Sequence, residues 1–252
     1  MPDSLALTSR AAADGDDACA NAPDGKYIRR EPAAMKLLVF GASGQCGRWL
    51  VRLGATRGHA ITAFVRPGTI YTAPDGVHVV RGDVLDADSV MAVATGHDAI
   101  LSCLGPQRMS PANPFSALRS PPAFCQRSAA HIVAAATAAG IRQVSAISAA
   151  GVADSAPQLP AAMRWLLAHS TIGEMYRDLG EMEKLFASST LDWFAVRPVT
   201  LVNAAPSRRA REVTRFGSLS VIGRADVAQW MLERLAPCAA ERAVRTPMIG
   251  WW

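Results

Sequence analysis

The sequence predicts an α/β fold built on a doubly wound parallel sheet, with a small C-terminal lobe. Short apolar runs alternate along the chain with longer helical segments, and this alternation requires crossover connections between parallel strands. A glycine-rich stretch directly follows the first apolar run, where a buried strand would turn sharply into a helix. Of the 252 residues, 50% are hydrophobic, so the chain can bury the core of one large domain.

The elements follow one another in a regular order from residue 36 onward. The predicted strands cover residues 37–40, 60–65, 77–80, 98–104, 143–148 and 193–196. The predicted helices cover residues 48–55, 86–95, 124–139, 171–189 and 224–235. Ligands of parallel sheets bind beyond the carboxyl ends of the strands, so we expect the site among the residues just after each strand.

The domain organisation is predicted from changes in composition. Residues 1–34 are rich in Ala, Asp, Gly and Pro and lack apolar periodicity, which predicts a disordered tail before a single domain over 35–252. We expect a substrate lobe from about 149–175, where 163–167 can form a short helix, and from 199–252. The connection over 105–123 holds five prolines, and a loop of this length is typical of a lid.

Composition and charge exclude several classes of function. The net charge of +5 is modest, and the basic cluster at 207–211 contains no aromatic residue, so no nucleic-acid partner is expected. No apolar run is long enough to cross a bilayer, so no membrane partner is expected. The five cysteines and five histidines are scattered without ligand spacing, which predicts free thiols in the cytoplasm and no metal. We therefore expect a cytoplasmic monomer or homodimer that binds a small-molecule substrate.

The glycine-rich stretch at 41–47 reads GASGQCG and predicts a phosphate site. A helix N-terminus carries unpaired N–H groups and a partial positive charge, which attract a phosphate. Gly41, Gly44 and Gly47 would provide a tight turn, access of the backbone to a pyrophosphate, and close helix–strand packing. Cys46 is either a thiolate favoured by the helix dipole or a small residue beneath the pyrophosphate, and we favour the second.

Arg66 occupies the position whose residue type distinguishes units selective for NAD from units selective for NADP. Units selective for NAD place an Asp or Glu at the end of the second strand, about 20 residues past the glycines. Here that place holds Arg66, and no acidic residue occurs between Glu31 and Asp75. A guanidinium can hold the 2′-phosphate of NADP with two hydrogen bonds, whereas a carboxylate would repel it. The sequence therefore favours NADP as cofactor, the alternative being that Arg66 only solubilises a loop.

Seven short motifs occur in one order along the chain. They are GASGQCG (41–47), VRP (65–67), GDV (82–84), DAI (98–100), LDW (191–193), VRP (196–198) and RADVA (224–228). On these motifs the chain resembles, from about residue 36 to 248, the atypical short-chain dehydrogenase/reductase families. Those families have a Rossmann-like NAD(P)H-binding domain and include NmrA-like proteins and the biliverdin IXβ/flavin reductase group.

The resemblance implies a role for each part of the cofactor site. It implies pyrophosphate contacts from Gly41, Ser43, Gly44, Gln45, Cys46 and Gly47. It also implies that Arg66 binds the 2′-phosphate and that Asp83 and Val84 bind the adenine, with Leu104 and Gly105 on the nicotinamide side. These families include reductases, isomerases and cofactor sensors, so the resemblance does not imply one reaction.

The usual acid–base pair of short-chain dehydrogenases is absent. That pair is a Tyr with a Lys four residues later, whose ammonium lowers the phenol pKa. The residues four positions after Tyr27, Tyr71 and Tyr176 are Glu31, Asp75 and Gly180. A reaction would therefore require other groups.

Two residues are candidates for catalysis. Ser148 matches the position of an active-site serine in the biliverdin/flavin reductase group, the alternative being a hydroxyl satisfied by the strand-end backbone. Tyr176, on the long helix, is the remaining phenol that can reach a pocket, the alternative being a packed ring. Glu183 stands where those relatives carry a histidine, and we expect it to be solvated.

Two functions remain open. The first is an NADPH-dependent oxidoreductase that acts on a small carbonyl or conjugated substrate. The second is a non-catalytic NAD(P)-binding sensor, which the missing Tyr–Lys pair keeps open.

Overall fold

A computed structural model describes residues 34–207, 209–217, 219–235 and 244–251, together with the backbone of 19–21 and 27–29. In the segment predicted to be a tail, β1 (Cys19–Asn21) and β2 (Tyr27–Arg29) pair as a short antiparallel sheet, which the sequence did not predict. The rest of residues 1–33 lies outside the described residues, so the predicted disorder stays a prediction.

The predicted strands and helices are present, with ends that differ by a few residues. The further strands are β3 (Lys36–Phe40), β4 (Ala60–Val65), β5 (His78–Arg81), β6 (Ala99–Ser102), β7 (Gln143–Ile147), β8 (Asp192–Pro198), β9 (Thr200–Val202), β10 (Ala210–Glu212), β11 (Val221–Gly223) and β12 (Met248–Trp251). The helices are α1 (Gln45–Thr56), α2 (Ala87–Ala94), α3 (Phe124–Ala138), α4 (Ala161–His169), α5 (Thr171–Ala187) and α6 (Arg224–Glu233). A short 3-10 helix spans Ala153–Gln158.

The central sheet has eight strands in the order β10-β12-β8-β7-β6-β3-β4-β5. The described neighbours pair in parallel except β10, which runs antiparallel to β12. The chain winds outward from β3 in one direction through β4 and β5, and in the other through β6, β7 and β8. The predicted doubly wound parallel sheet is thus confirmed, and its crevice for a ligand lies where the direction reverses, between β3 and β6.

Helices cover both faces of this sheet because the side chains of each buried strand alternate between the faces. Leu37 and Val39 belong to the core on one face, which α1 and α6 cover. Leu38 and Phe40 belong to the core on the other face, which α2, α3 and α5 cover. All four side chains are fully buried, so β3 lies at the centre of the molecule and holds the start of α1 in place.

Within the described residues, no helix has both the length and the apolar character needed to cross a bilayer. The cytoplasmic location stays a prediction.

Candidate functional site

The connection from β3 into α1 requires glycine at positions 41 and 47. Gly41 has φ +73°, and a Cβ there would lie 2.8 Å from the carbonyl carbon and oxygen of Cys103. A Cβ at Gly47 would lie only 2.1 Å from the carbonyl oxygen of Gly41. The loop is therefore a bare backbone cradle packed against the end of β6, and larger residues at these positions would force it apart.

The start of α1 has the features of an anion site. Gly44 is the N-cap, no side chain caps it, and the first turn contains no acidic residue. The amide of Gly44 donates to Gly41 O (3.0 Å) and Arg48 Nε donates to Ser43 O (3.0 Å), which hold the loop in shape. The N–H groups of a helix start and its dipole favour negative charge, so this cradle can hold a phosphate.

A cavity of about 160 Å³ opens directly from this cradle. Seven of the residues predicted for the cofactor line it: Gly41, Ser43, Gly44, Arg66, Val84, Leu104 and Gly105. The remaining wall includes Gln107, Ser120, Pro121 and Phe124 from the proline-rich connection and the start of α3. The sequence did not predict these wall residues individually, although the length of that connection indicated a lid.

The other predicted cofactor residues lie beside the cavity. Gln45, Cys46 and Gly47 form the start of α1. Asp83 follows β5, and its Oδ1 accepts a hydrogen bond from the Leu85 amide at 2.9 Å. Their contacts with a cofactor stay predictions.

Arg66 is exposed and lies directly after β4, on the wall of the same cavity as Gly44. A dinucleotide whose diphosphate lies at Gly44 can therefore place a ribose phosphate within reach of the guanidinium. The residues present fit such a group: a backbone cradle, a helix start without acidic residues, and a nearby cation.

The cysteines at the cradle are protonated thiols at neutral pH. Burial raises the pKa of Cys46 to about 11, although the Arg224 guanidinium opposes the rise. Burial also raises the pKa of Cys103 well above its ordinary value. The raised pKa contradicts the thiolate interpretation of Cys46, because desolvation penalises the charged form.

Ser148 directly follows β7 and is 5% exposed. Its amide donates to Val196 O at 2.7 Å, but its buried Oγ has no hydrogen-bond partner among the described residues. The interpretation that the strand-end backbone satisfies this hydroxyl is therefore wrong. An orphaned hydroxyl costs roughly 1–3 kcal/mol, and the β7 residue Ser145 carries another one deeper in the sheet. Ser145 lies within β7, whereas Ser148 lies just past its carboxyl end, where ligands of parallel sheets bind.

Tyr176 is half-buried on α5 and packs against the core on the α3 and α5 side of the sheet. Burial raises its pKa, so the phenol is protonated at neutral pH. Neither Tyr176 nor Ser148 lines the cavity at the glycine cradle. Their roles therefore stay predictions.

Glu183 is buried, at 5% exposed, so the expectation that it is solvated is wrong. Arg197, at the end of β8 and 2% exposed, donates from Nε to Glu183 Oε1 (3.0 Å) and from Nη2 to Oε2 (2.6 Å). The same Nη2 lies 2.8 Å from Asp154 Oδ1 in the 3-10 helix. The sequence did contain one indication of this pair, because Arg197 lies in the otherwise apolar run 193–198. A guanidinium buried in such a strand requires a carboxylate partner.

A second cavity, of about 630 Å³, shares Ser120 and Pro121 with the first. Its walls are the proline-rich connection, the start of α3 and one side of α5. Asp178 on α5 caps α3 by accepting hydrogen bonds from the amides of Cys125 and Gln126, both at 2.9 Å. Thr171 Oγ1 lies 2.9 Å from Pro114 O, which fastens the connection to the start of α5.

Comparison with known proteins identifies the family. A family profile described as NAD(P)H-binding matches residues 41–237, which is more than half of the chain. The chain belongs to this NAD(P)H-binding family. The match begins at the first glycine of the cradle, so the predicted membership in a family with an NAD(P)H-binding domain is confirmed, and the solved structures below share the predicted Rossmann-like fold.

Reductases are among the relatives of this family member. A 3-diazoavenalumate denitrifying reductase from Streptomyces sp is 33% identical over 175 residues, covering 66% of this chain and 56% of that protein. An isoflavone reductase homolog from Zea mays is 32% identical over 89 residues, covering 30% of this chain and 28% of that protein. The chain thus spans little more than half of the first relative and under a third of the second.

Solved structures share the fold. ChuY, an anaerobillin reductase from Escherichia coli O157:H7, has a TM-score of 0.66 and 23% identity, and the match covers 85% of this chain and 96% of that one. A short-chain dehydrogenase/reductase from Veillonella parvula in complex with NADP has a TM-score of 0.68 and 17% identity, covering 86% and 95%. At these identities the likeness concerns the fold.

Proposed function

We propose that this protein is an NADPH-dependent reductase of a small carbonyl or conjugated compound. The observation that carries the proposal is one cavity that is lined both by the backbone glycine cradle at Gly44 and by the downstream Arg66. A dinucleotide with a 2′-phosphate matches both features, because the cradle accepts a diphosphate and the guanidinium accepts a phosphomonoester.

The proposed cofactor-binding roles are those that the family resemblance implies, and seven of the residues concerned line this cavity. The cradle over 41–47 binds the diphosphate, Arg66 binds the 2′-phosphate, and Asp83 and Val84 contact the adenine. Leu104 and Gly105, after β6, lie on the nicotinamide side. NADPH supplies the hydride when bound, so the protein has to bind, orient and exclude water.

Ser148 is proposed to hold a polar group of the substrate or of the nicotinamide amide. Its buried and unpartnered Oγ gains a hydrogen bond when a carbonyl or amide lies against it. Tyr176 is proposed as a proton donor because it is the phenol on the long helix α5, although burial raises its pKa and makes it a weaker acid than an exposed tyrosine. Neither role requires a Tyr-x-x-x-Lys pair, which the sequence lacks.

The substrate is proposed to enter from the larger cavity. Its volume of about 630 Å³ falls in the range of small-molecule sites, and it adjoins the dinucleotide cavity at Ser120 and Pro121. The names of the Streptomyces relative and of ChuY refer to reductases, which favours reduction as the reaction class here.

A non-catalytic sensor is the second candidate function. The observation that favours it is the missing Tyr–Lys pair, which leaves the cofactor site present without the usual acid–base group. Both candidates require the same dinucleotide complex, so binding and turnover have to be measured separately.

Calorimetry with NADPH and NADH tests the cofactor proposal. We expect wild-type protein to bind NADPH more tightly and the variant Arg66→Ala to lose most of that preference. Equal affinities of the wild-type protein for the two dinucleotides would contradict it.

Incubation with NADPH and a panel of quinones, flavins and aldehydes tests the reductase proposal. Loss of absorbance at the reduced-nicotinamide band with a panel member supports the reductase. Persistent absorbance across the whole panel, with tight NADPH binding, would favour the sensor.

A further inference from the structure

The helix α6 begins beside the start of α1 at the same edge of the sheet. A Cβ at Gly54 of α1 would lie 3.6 Å from Leu232 Cδ2 of α6, and Arg57 Nη2 lies 3.4 Å from Glu233 Oε1. α1 joins the parallel strands β3 and β4, and α6 leads into β12, which is parallel to β8. Both helices therefore run opposite to the strands and in the same direction as each other.

Counting back along the helices aligns their first residues. Gly54 lies nine residues after Gln45, where α1 begins, and Leu232 lies eight residues after Arg224, where α6 begins. These separations differ by one residue, which is a rise of about 1.5 Å along a helix. Arg224 therefore stands level with the first turn of α1, where the cradle ends.

The electrostatics agree with this alignment. The positive charge of Arg224 lowers the pKa of Cys46, the second residue of α1, against the dominant effect of burial. The guanidinium is thus close enough to the first turn of α1 to act on a charge there.

The side chain of Arg224 is positioned by the substrate lobe. It is half-buried, and its Nη1 donates to Asn203 Oδ1 at 3.0 Å. The carboxylate two residues along, Asp226, accepts hydrogen bonds from the Ser207 amide (2.7 Å) and from Trp251 Nε1 (2.6 Å). Asn203 uses one of the guanidinium's donor groups, and a guanidinium has five N–H donors in all.

We infer that Arg224 is a second cationic ligand of the dinucleotide, which binds the diphosphate from the α6 side while the glycine cradle binds it from the α1 side. This inference rests on the dinucleotide lying in the cradle as proposed above. Arg66 and Arg224 then serve different parts of one molecule, because the 2′-phosphate is specific to NADP whereas the diphosphate is common to NAD and NADP.

Calorimetric titration of the whole chain with NADP and, separately, with NAD tests this division. For the variant Arg224→Gln we expect the Kd of both dinucleotides to rise by the same factor, about tenfold, because one charge-assisted hydrogen bond to a phosphate is lost. The variant Arg224→Lys, which keeps the charge, should stay within about threefold of wild type.

The matched control is Arg52→Gln, which removes the same charge from an exposed position of α1. Arg52 lies over the Trp49 ring, with its Cζ 5.6 Å from the ring centroid, and away from the first turn of the helix. We expect its affinities for both dinucleotides to stay within about twofold of wild type, because only long-range screened charge is lost.

The outcomes separate this inference from the cofactor proposal. Neutral variants that bind both dinucleotides within twofold of wild type, or that lose NADP binding alone, would overturn the role of Arg224. Wild-type protein that binds neither dinucleotide would instead overturn the cofactor proposal. Arg224→Met, which keeps the apolar stem, is the second neutral variant, and whichever of the two melts like wild type decides the result.

Discussion

Replacement of Glu183 by Gln isolates the charge of the buried pair that Glu183 forms with Arg197. The substitution keeps the volume of the side chain and one carbonyl acceptor, but it removes the negative charge that faces Arg197 at 2.6 and 3.0 Å. Arg197 cannot move its charge into water because it is 2% exposed. The variant therefore leaves a buried guanidinium with Asp154 as its remaining carboxylate partner among the described contacts.

The size of the effect follows from the burial of both partners. Removing one member of a buried ion pair costs about 3–5 kcal/mol, and we expect Glu183→Gln to lie at the lower end, about 3 kcal/mol, because Asp154 remains. A domain of this size has a total unfolding free energy of about 5–15 kcal/mol. The melting temperature should fall by about 6–12 °C, at 2–4 °C per kcal/mol.

Urea denaturation at equilibrium measures this loss, with the midpoint shifted and the slope unchanged. The matched control is Glu181→Gln, which breaks the surface pair with Lys184 at 2.7 Å and should cost under about 1 kcal/mol. A second comparison is the double variant Glu183→Leu with Arg197→Met. It should recover much of the lost stability, because an apolar pair carries no desolvation cost.

The reasoning would be refuted by a Glu183→Gln variant that unfolds within 0.5 kcal/mol of the Glu181→Gln control, a margin of about the size of an ordinary surface substitution. That result would mean that the carboxylate of Glu183 is solvated and does not hold Arg197.

Three further expectations concern single positions. The Arg197 hydrogen bond lowers the pKa of Asp154 below its ordinary value, so its stabilising contribution is present above that value and is lost as the pH falls; wild type should lose more stability than Asp154→Asn between pH 5 and pH 3 in urea titrations, and equal losses would contradict the pairing. Ser148→Ala removes an unpartnered hydroxyl, so stability should stay equal or rise by up to about 1 kcal/mol while turnover with a panel substrate falls about tenfold; a large loss of stability would show that the hydroxyl is already bonded. Gly47→Ala places a Cβ 2.1 Å from a carbonyl oxygen of the cradle, so dinucleotide affinity should fall at least about tenfold by calorimetry; Gly217→Ala, which meets no atom within 4 Å, is its control, and equal affinities of the two variants would contradict the cradle geometry.

The local part of the site could be predicted from the sequence. The glycine loop and Arg66 lie directly after consecutive parallel strands, and the ends of such strands meet at one edge of the sheet. Their shared cavity therefore follows from chain order alone.

The environment of single side chains could not be predicted in this way. Glu183 was expected in water because a charged residue on a helix is usually solvated. The fold instead places it against Arg197, which follows it by 14 positions in the sequence, on the neighbouring strand β8. Similarly, nothing local to Ser148 indicates that its hydroxyl is left without a partner.

The amino-acid order by itself determined the alternation of strands and helices, the glycine cradle and the position of Arg66, because these depend on period, spacing and backbone freedom within short segments. Only the tertiary structure decided which charges are buried together and which helix starts adjoin. Arg197 with Glu183 and Asp154, and Arg224 beside α1, come from segments that are separate along the chain. Their energies depend on desolvation and on distances across packed elements, which no local pattern encodes.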